Sequence, residues 1–311
     1  MVTIGLPWRP EVNVFRTNVD HLVKMAVVGQ VTNPMGPPTR YRVGSGGVPF
    51  ISIGMSGVVY NVLAGDPAFG WAGDHTEPAV SIDNPDHWAD HAMHYLTCVG
   101  NAARVVSGDA VGARGVVTGE HARMLVDFPA ETLELLTAGD QIQIEAFGTG
   151  LELLDYPSIS VRKLDPDLLD KLNIREAADG TLEIGVSLIF PNHMMASAFE
   201  LNPEYVDQDI TTNDRASAHE YGIDRLRLGD LVAIVDADHT WGRQYQSGAV
   251  TIGLINHADS PSIGHGPGCM TLLSCTDGKL KPFVDPDANI AAYLGCGRAR
   301  EGALPRSEGA R

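Results

Sequence analysis

Histidines and glycines with the potential for chemistry stand close together late in the chain. His257 follows an apolar, β-branched run, and His265 lies in a loop with Gly264, Gly266 and Gly268. Glycine lets a backbone bend sharply or approach a ligand closely, and imidazole moves protons or binds metals near neutral pH. We therefore predict that His265 acts as a catalytic acid or base and that Gly266 and Gly268 help to bind the substrate.

A candidate metal site begins at the end of the preceding apolar run. Asp236 and His239 stand where a predicted strand gives way to a loop, and His257 follows the next predicted strand. Their oxygen and nitrogen atoms are ligands that divalent metals accept. The pattern predicts a divalent metal of unspecified identity held by Asp236, His239 and His257. Carboxylates in a turn also occur without a metal, and that reading stays open.

An earlier glycine-rich stretch, 65–78, adds further acid-base groups. Asp74, His75 and Glu77 stand close together in it. In an extended segment, residues 75 and 77 point to one side and residue 74 to the other, so at most part of the trio converges unless the chain turns. We predict that His75 moves protons and that Asp74 orients an imidazole, with a solvated turn as the alternative.

Cys98 is a candidate nucleophile at the end of a predicted helix. A thiolate forms near neutral pH only beside a cation or an imidazole, and His121 or His265 would serve as that base. The alternative is a buried cysteine that acts as a small apolar side chain. The candidate substrate-binding side chains share an ability to hydrogen-bond a polar ligand or to pair with its carboxylate: Asn101, Ser107, His121 and Arg243. Turn capping and ordinary ion pairs are their structural alternatives.

Short strands are the main elements that would position these groups. Alternating or β-branched runs bounded by turn residues predict strands at 58–62, 102–106, 114–118, 124–128, 141–146, 182–189, 231–236 and 249–255. Helical spacing predicts short helices at 86–98, 166–172, 214–221 and 288–294. The expected fold class is α+β: a β-rich chain with mixed or antiparallel sheets, barrel-like elements and a few short helices.

The helix predicted at 86–98 carries three histidines near one face: His87, His91 and His94. This spacing can bind a metal. Nearby aspartates favour a solvated polar face instead, with the buried stripe at Trp88, Ala92 and Tyr95.

Two β-rich domains and a tail are expected. An apolar run ends near residue 164, a short helix follows, and a turn precedes the next strand. We predict an N-terminal domain at 1–165 and a C-terminal domain at 166–297 that share one site. Residues 298–311 are rich in Gly, Arg, Glu and Ser without apolar periodicity, which predicts a disordered tail.

Charge and composition exclude several classes of partner. The 311 residues contain 22 Lys and Arg against 39 Asp and Glu, a formal net charge of −17, which would repel nucleic-acid phosphates and anionic membranes. No apolar run approaches the roughly 20 residues that span a bilayer, and residues 1–10 lack the features of a secretion signal. The four cysteines form no C-x-x-C pair. We expect a cytoplasmic protein with reduced cysteines, a small-molecule substrate and, as an open possibility, a homo-oligomeric state.

The chain resembles a bacterial and archaeal family of unknown function, DUF4438, over residues 20–295. The resemblance rests on several motifs taken together: 61–62 with 65–71, Cys98-Val99-Gly100-Asn101, 107–110 with 117–121, Leu226-Arg227-Leu228-Gly229-Asp230, 247–249 with 252–253, and His265-Gly266-Pro267-Gly268. It implies a compact, cytosolic, β-rich protein and implies no activity.

The residues themselves favour a hydrolase. We expect it to act on a small polar substrate of the amide, imide or lactam class, with water activated by a divalent metal or by a general base. A non-catalytic protein that binds a small molecule or anion through its glycine-rich loops and Arg243 is the first alternative. A structural homo-oligomer is the second.

Overall fold

Short strands dominate the fold because turn residues interrupt almost every apolar run. The computed structural model describes residues 15–35, 41–196, 202–302 and 304. In chain order the strands are β1 (Met25–Val31), β2 (Arg42–Val43), β3 (Pro49–Phe50), β4 (Val58–Val59), β5 (Ala79–Asp83), β6 (Ala102–Val105), β7 (Arg114–Glu120), β8 (Met124–Asp127), β9 (Gln141–Ala146), β10 (Ile159–Val161), β11 (Ile174–Glu176), β12 (Leu182–Val186), β13 (Leu188–Pro191), β14 (Gln208–Asp209), β15 (Leu231–Asp238), β16 (Gln244–Ile255), β17 (Gly268–Cys275) and β18 (Leu280–Val284).

The helices of the described residues are short. They are α1 (His87–Leu96), α2 (Ala130–Leu133), α3 (Pro166–Leu169), α4 (Arg215–Glu220) and α5 (Ile290–Leu294). Single 3-10 turns cover Val19–His21, Ser45–Gly47, Asn192–Met194, Ile223–Arg225 and Gly297–Glu301. None of the helices in the described ranges is both long enough and apolar enough to cross a membrane.

The first sheet closes into a six-stranded antiparallel barrel. Its strands pair in the order β1-β9-β6-β7-β8-β5, and β5 pairs back onto β1 through Gln30↔Asp83 and Val31↔Ile82. Closure pairs the edges that an open sheet would expose. The interior is filled by apolar side chains such as Ile82, Ile142 and Ile144. β4 extends the sheet beyond β5.

The second sheet is mixed and buried on both faces. Its order is β10-β17-β16-β15-β13, with β14 pairing on β17 and with β13 parallel to β15. Leu231 and Ala233 of β15 belong to one apolar cluster, whereas Val232 and Ile234 belong to another. Because successive strand residues face opposite sides, the sheet is the central layer between two cores. β11, β12 and β18 form a small third sheet, and β2 pairs with β3. The expected α+β, β-rich fold with barrel-like elements is confirmed.

Helix α1 buries a different face from the predicted stripe. Met93 and His94 are its buried residues, whereas Trp88 is 77% exposed. Gly29 of β1 explains the orientation, because a Cβ there would lie only 2.8 Å from Met93 Sδ. The absent side chain lets the helix pack closely on the barrel.

The organisation differs from the expected domains in two places. β10, at 159–161, pairs with β17 of the second sheet, so the change from one sheet to the other precedes residue 165. Residues 297–301 form a 3-10 turn, and Arg298 donates to Asp66 at 2.8 Å. The start of the expected disordered tail is therefore anchored. Residues 303 and 305–311, like residues 1–10 at the N-terminus, lie outside the described ranges.

Candidate metal centre

Four histidines from distant parts of the sequence meet between the barrel and the second sheet. They are His75 before β5, His121 after β7, His257 after β16 and His265 before β17. Ring centroids lie 4.2 Å apart for His121 and His257, 5.0 Å for His75 and His257, and 4.9 Å for His75 and His265. Both β-rich parts of the chain therefore contribute to one site.

Two aspartates of the segment that forms β14 complete the cluster. Asp207 Oδ2 lies 2.9 Å from His257 Nε2. Asp209 Oδ1 lies 3.3 Å from that same nitrogen, while Asp209 Oδ2 lies 2.6 Å from His265 Nδ1 and 3.3 Å from His75 Nε2. The ligand atoms form two groups, each with its atoms within 4.8 Å of one another: His121, Asp207 and His257, and His75, Asp209 and His265.

Three of the histidines have one ring nitrogen held by an outer oxygen. His75 Nδ1 lies 2.7 Å from Asp74 Oδ1, His121 Nδ1 lies 2.6 Å from Glu77 Oε1, and His257 Nδ1 lies 2.9 Å from the carbonyl of Ala258. An oxygen acceptor at Nδ1 favours the proton there and leaves Nε2 as the ligand atom. The buried Nε2 of His257 makes no hydrogen bond of good geometry. This arrangement suits a metal ion.

The outer carboxylates are themselves well held. The hydroxyls of Ser52 and Ser260 donate to Asp74 at 2.6 and 2.7 Å. The amide of Ser56 and the hydroxyl of Ser81 donate to Glu77. His75 has a φ of 49°, a left-handed conformation that is uncommon for a residue with a side chain. The backbone turn at His75 brings the side chains of residues 74 and 75 together, although they would face opposite sides in an extended segment.

The carboxylates and histidines of the cluster shift each other's pKa values, because each favours the charged form of the other. Burial alone would raise the pKa of Asp209, but hydrogen bonds from His257, His265 and His75 hold it well below its usual range. Burial alone would lower the pKa of His257, but Asp207 and Asp209 raise it well above its ordinary value. The site therefore attracts positive charge, whether protons or a metal ion.

The glycines of the His265 loop serve packing within the protein. A Cβ at Gly268 would overlap Asp207 and the ring of His257, and a Cβ at Gly266 would overlap the carbonyl of Ile210. The predicted substrate-binding role of Gly266 and Gly268 stays a prediction, while the structure gives both glycines a packing role. Their missing side chains let the strands bearing the cluster approach each other.

The predicted metal set of Asp236, His239 and His257 does not assemble. Asp236 accepts a hydrogen bond from the Gly248 amide at 2.7 Å, where the pairing of β15 and β16 shifts register. His239 Nδ1 lies 2.8 Å from the hydroxyl of Thr271, and burial, with Arg243 nearby, lowers its pKa to about 3. Only His257 of the three belongs to the cluster.

The geometry also does not support Cys98 as a nucleophile. Its Sγ lies 3.9 Å from the Leu96 carbonyl and 4.0 Å from the Thr149 hydroxyl. Burial raises the thiol pKa to about 11, so the protonated form dominates near neutral pH. The alternative of a buried, small apolar side chain describes it better.

Asn101 and Ser107 have structural contacts instead of the predicted substrate contacts. Asn101 is fully buried and accepts from the amides of Cys98 and Phe147 while its amide donates to Asp165 and to the Phe147 carbonyl. Ser107 accepts from the amide of Gln141 at 2.7 Å. These bonds join neighbouring segments, and they occupy both polar atoms of the Asn101 side chain.

Arg243 contacts the chain next to the cluster, because its Nη2 donates to the Val206 carbonyl. This bond fits a role in supporting the segment that carries Asp207. The predicted clamp of Arg243 on a substrate carboxylate stays a prediction.

A buried ionic network supports the cluster from the barrel side. Glu120 Oε2 lies 2.6 Å from Lys163 Nζ, and Oε1 lies 2.6 Å from His94 Nδ1 and 3.2 Å from the Val206 amide. Asn256 donates to the Glu120 carbonyl and to Asp207. His94, expected on a solvated face, is in fact a buried member of this network.

Sequence reasoning missed the carboxylates that matter most. Asp207 and Asp209 alternate in an extended segment, so both side chains face the same side. That D-x-D spacing was the available signal. Glu77 stood in the acidic stretch near His75, but its partner, His121, lies 44 residues away.

The comparisons with known proteins agree with this architecture. The profile of the N-terminal domain of unknown function DUF4438 matches residues 41–170, and that of its C-terminal domain matches residues 171–294. A protein described as "Crystal structure of TM1086" is 40% identical with a TM-score of 0.85, and the match covers 90% of this chain and 99% of that one. No curated protein matches. The chain belongs to the DUF4438 family.

Proposed function

We propose that this protein is a hydrolase that uses a divalent metal ion, held by the His/Asp cluster, to activate water toward a small polar substrate. The observation that carries the proposal is the set of three histidines whose Nδ1 atoms face outer oxygens. Nε2 of His75 and of His257 then faces the carboxylates of Asp207 and Asp209. Oxygen-held histidines of this kind are typical of metal sites.

The ligand chemistry narrows the choice of ion. Mixed imidazole and carboxylate ligands suit Zn²⁺, Mn²⁺, Fe²⁺ and similar transition ions better than Ca²⁺ or Mg²⁺, which favour oxygen. A bound ion of this type lowers the pKa of its water toward neutrality and polarises a carbonyl group. Amides, imides and lactams present such a carbonyl, which supports this substrate class.

The residues divide into holding and proton-moving roles. His257 is fully buried, and the side chain of Asp207 is 3% exposed, so they suit ion binding. The side chain of His265 is 48% exposed, and it lies on the open side of the cluster. In hydrolysis, water oxygen bonds to the carbonyl carbon, the carbon–nitrogen bond breaks, and the leaving nitrogen takes a proton. With a single ion at His121, Asp207 and His257, His265 holds no metal and is the residue best placed to carry that proton.

A cavity beside Asp74 has room for a small substrate. Its volume is about 750 Å³, and its lining includes Phe50, Trp71, Gly73, Arg215 and Ser260. Gly73 and Ser260 adjoin the Asp74 carboxylate, which accepts from Ser260. The size is within the range of small-molecule pockets, and Arg215 supplies a guanidinium at its wall.

The test is hydrolysis of a panel of linear and cyclic amides by the full chain, first stripped with chelator and then loaded with Zn²⁺, Mn²⁺ or Co²⁺. We expect metal-dependent turnover and a higher melting temperature in the loaded protein. His257→Ala should lose turnover and at least part of the rise in melting temperature, whereas the control His193→Ala, whose ring lies edge-on to Tyr221, should keep both. Unchanged melting with and without metal would overturn the proposal. Metal binding without turnover of any amide would favour the non-catalytic alternative.

A further inference from the structure

We infer that the cluster is a two-ion centre in which the carboxylate of Asp209 bridges the ions. This inference rests on the proposed metal-dependent function and deepens it. One ion site comprises His121, Asp207 and His257, and the other comprises His75, Asp209 and His265. The two sites would share Asp209.

The orientation of Asp209 is the first argument. Its Oδ1 faces His257 Nε2 of one group at 3.3 Å, and its Oδ2 faces His265 Nδ1 and His75 Nε2 of the other group. A carboxylate that binds one ion alone needs only one of its oxygens at the site, whereas Asp209 has an oxygen next to the histidines of each group. A bridging carboxylate presents one oxygen to each ion.

The spacing of the imidazoles is the second argument. Ring centroids within the groups lie 4.2 Å apart for His121 and His257 and 4.9 Å apart for His75 and His265. Between the groups, His75 lies 5.0 Å from His257 and 5.6 Å from His121. The groups are thus nearly as close to each other as their own members are. Ions held by them would be neighbours, as in two-metal hydrolytic sites with ions about 3.5–4 Å apart.

Charge is the third argument. Four carboxylates lie in or against the cluster: Asp74, Glu77, Asp207 and Asp209. Arg42 lies 3.3 Å from Asp74, whereas the ion pairs of the other three are formed with histidines. Buried carboxylates require compensation. A histidine that binds an ion is neutral, so Arg42 and one divalent ion leave one of the four negative charges uncompensated, and a second ion removes that deficit.

The test is the metal content and electron paramagnetic resonance spectrum of the full chain loaded with Mn²⁺. We expect saturation at two ions per chain and a spectrum of coupled ions. His265→Ala should saturate at one ion and give the spectrum of an isolated ion. Asp209→Asn should weaken binding at both sites about tenfold or more and abolish the coupling. The control His193→Ala should keep two coupled ions.

The outcomes separate this inference from the proposed function. Saturation of the wild-type chain at one ion, with metal-dependent hydrolysis intact, would overturn the two-ion centre and leave the function standing. Two coupled ions without hydrolysis would support the centre and overturn the function. The wild-type spectrum is itself decisive, so the test does not depend on every variant folding.

Discussion

Replacing Glu77 by glutamine tests whether the outer carboxylates prepare the histidines for a metal. Glu77 is fully buried, with Oε1 2.6 Å from His121 Nδ1 and Oε2 2.7 Å from the Ser56 amide. In Glu77→Gln, one of these two positions must become an NH₂ group. If it faces His121, the proton of that ring moves to Nε2 and blocks the ligand atom. If it faces Ser56, two donors oppose each other.

Either orientation has a calculable effect. Loss of an outer hydrogen-bonding partner typically weakens metal binding about 10- to 100-fold, which corresponds to about 1.4–2.7 kcal/mol of binding free energy. An opposed buried donor would lower the free energy of unfolding of the metal-free protein by about 1–3 kcal/mol. A tenfold weakening of zinc binding is large enough to be measured by calorimetric titration.

The assay is isothermal titration of the metal-stripped chain with Zn²⁺, together with urea unfolding of the same sample. Asp127→Asn is the matched control, because Asp127 is a buried carboxylate bonded to Gly297 and Arg300 instead of a histidine. We expect the control to lose stability but keep its metal affinity. Zinc affinity of Glu77→Gln within twofold of the wild type, together with an unchanged free energy of unfolding, would refute the reasoning.

Three further predictions concern residues outside the cluster. Asn101→Ala removes the acceptor of two buried amides and should lower the free energy of unfolding by about 3–5 kcal/mol without reducing metal content; lost turnover at full stability would restore its predicted substrate-binding role. The four cysteines should resist a thiol reagent at pH 8 in the native state and react after unfolding, because all four are buried and their thiol pKa values are raised; rapid native labelling of Cys98 would contradict this. Burial lowers the pKa of His239 in the folded protein to about 3. Below about pH 6.5 the unfolded chain therefore binds more protons than the folded chain does, so the stabilising contribution of the His239 side chain is lost as the pH falls. The difference in unfolding free energy between the wild type and His239→Asn should therefore shrink by about 2 kcal/mol from pH 7 to pH 5, and parallel curves in urea titrations would show that the ring is not held neutral.

The fold class could be predicted because it depends on local patterns. The strand predicted at 141–146 is β9 with the same bounds, and its alternating burial follows its alternating sequence. The run at 182–189 was expected as one strand but is divided at Ser187, whose amide and hydroxyl bond to the Leu231 carbonyl. One apolar run thereby serves two sheets. β17 was not predicted, because its Cys, Met and Ser residues are buried on both faces and do not alternate.

The sequence by itself determined the β-rich class and the chemical types available to the site, including His75, His121, His257 and His265. Only the tertiary structure decided that these histidines share one centre and that Asp236, His239 and Cys98 stand outside its ligand groups. His75 and His265 are separated by 190 residues, yet their ring nitrogens lie 3.0 Å apart. The physical reason is that strand propensity and side-chain chemistry act between near neighbours, whereas convergence follows from barrel closure and the packing of the barrel against a second, doubly buried sheet.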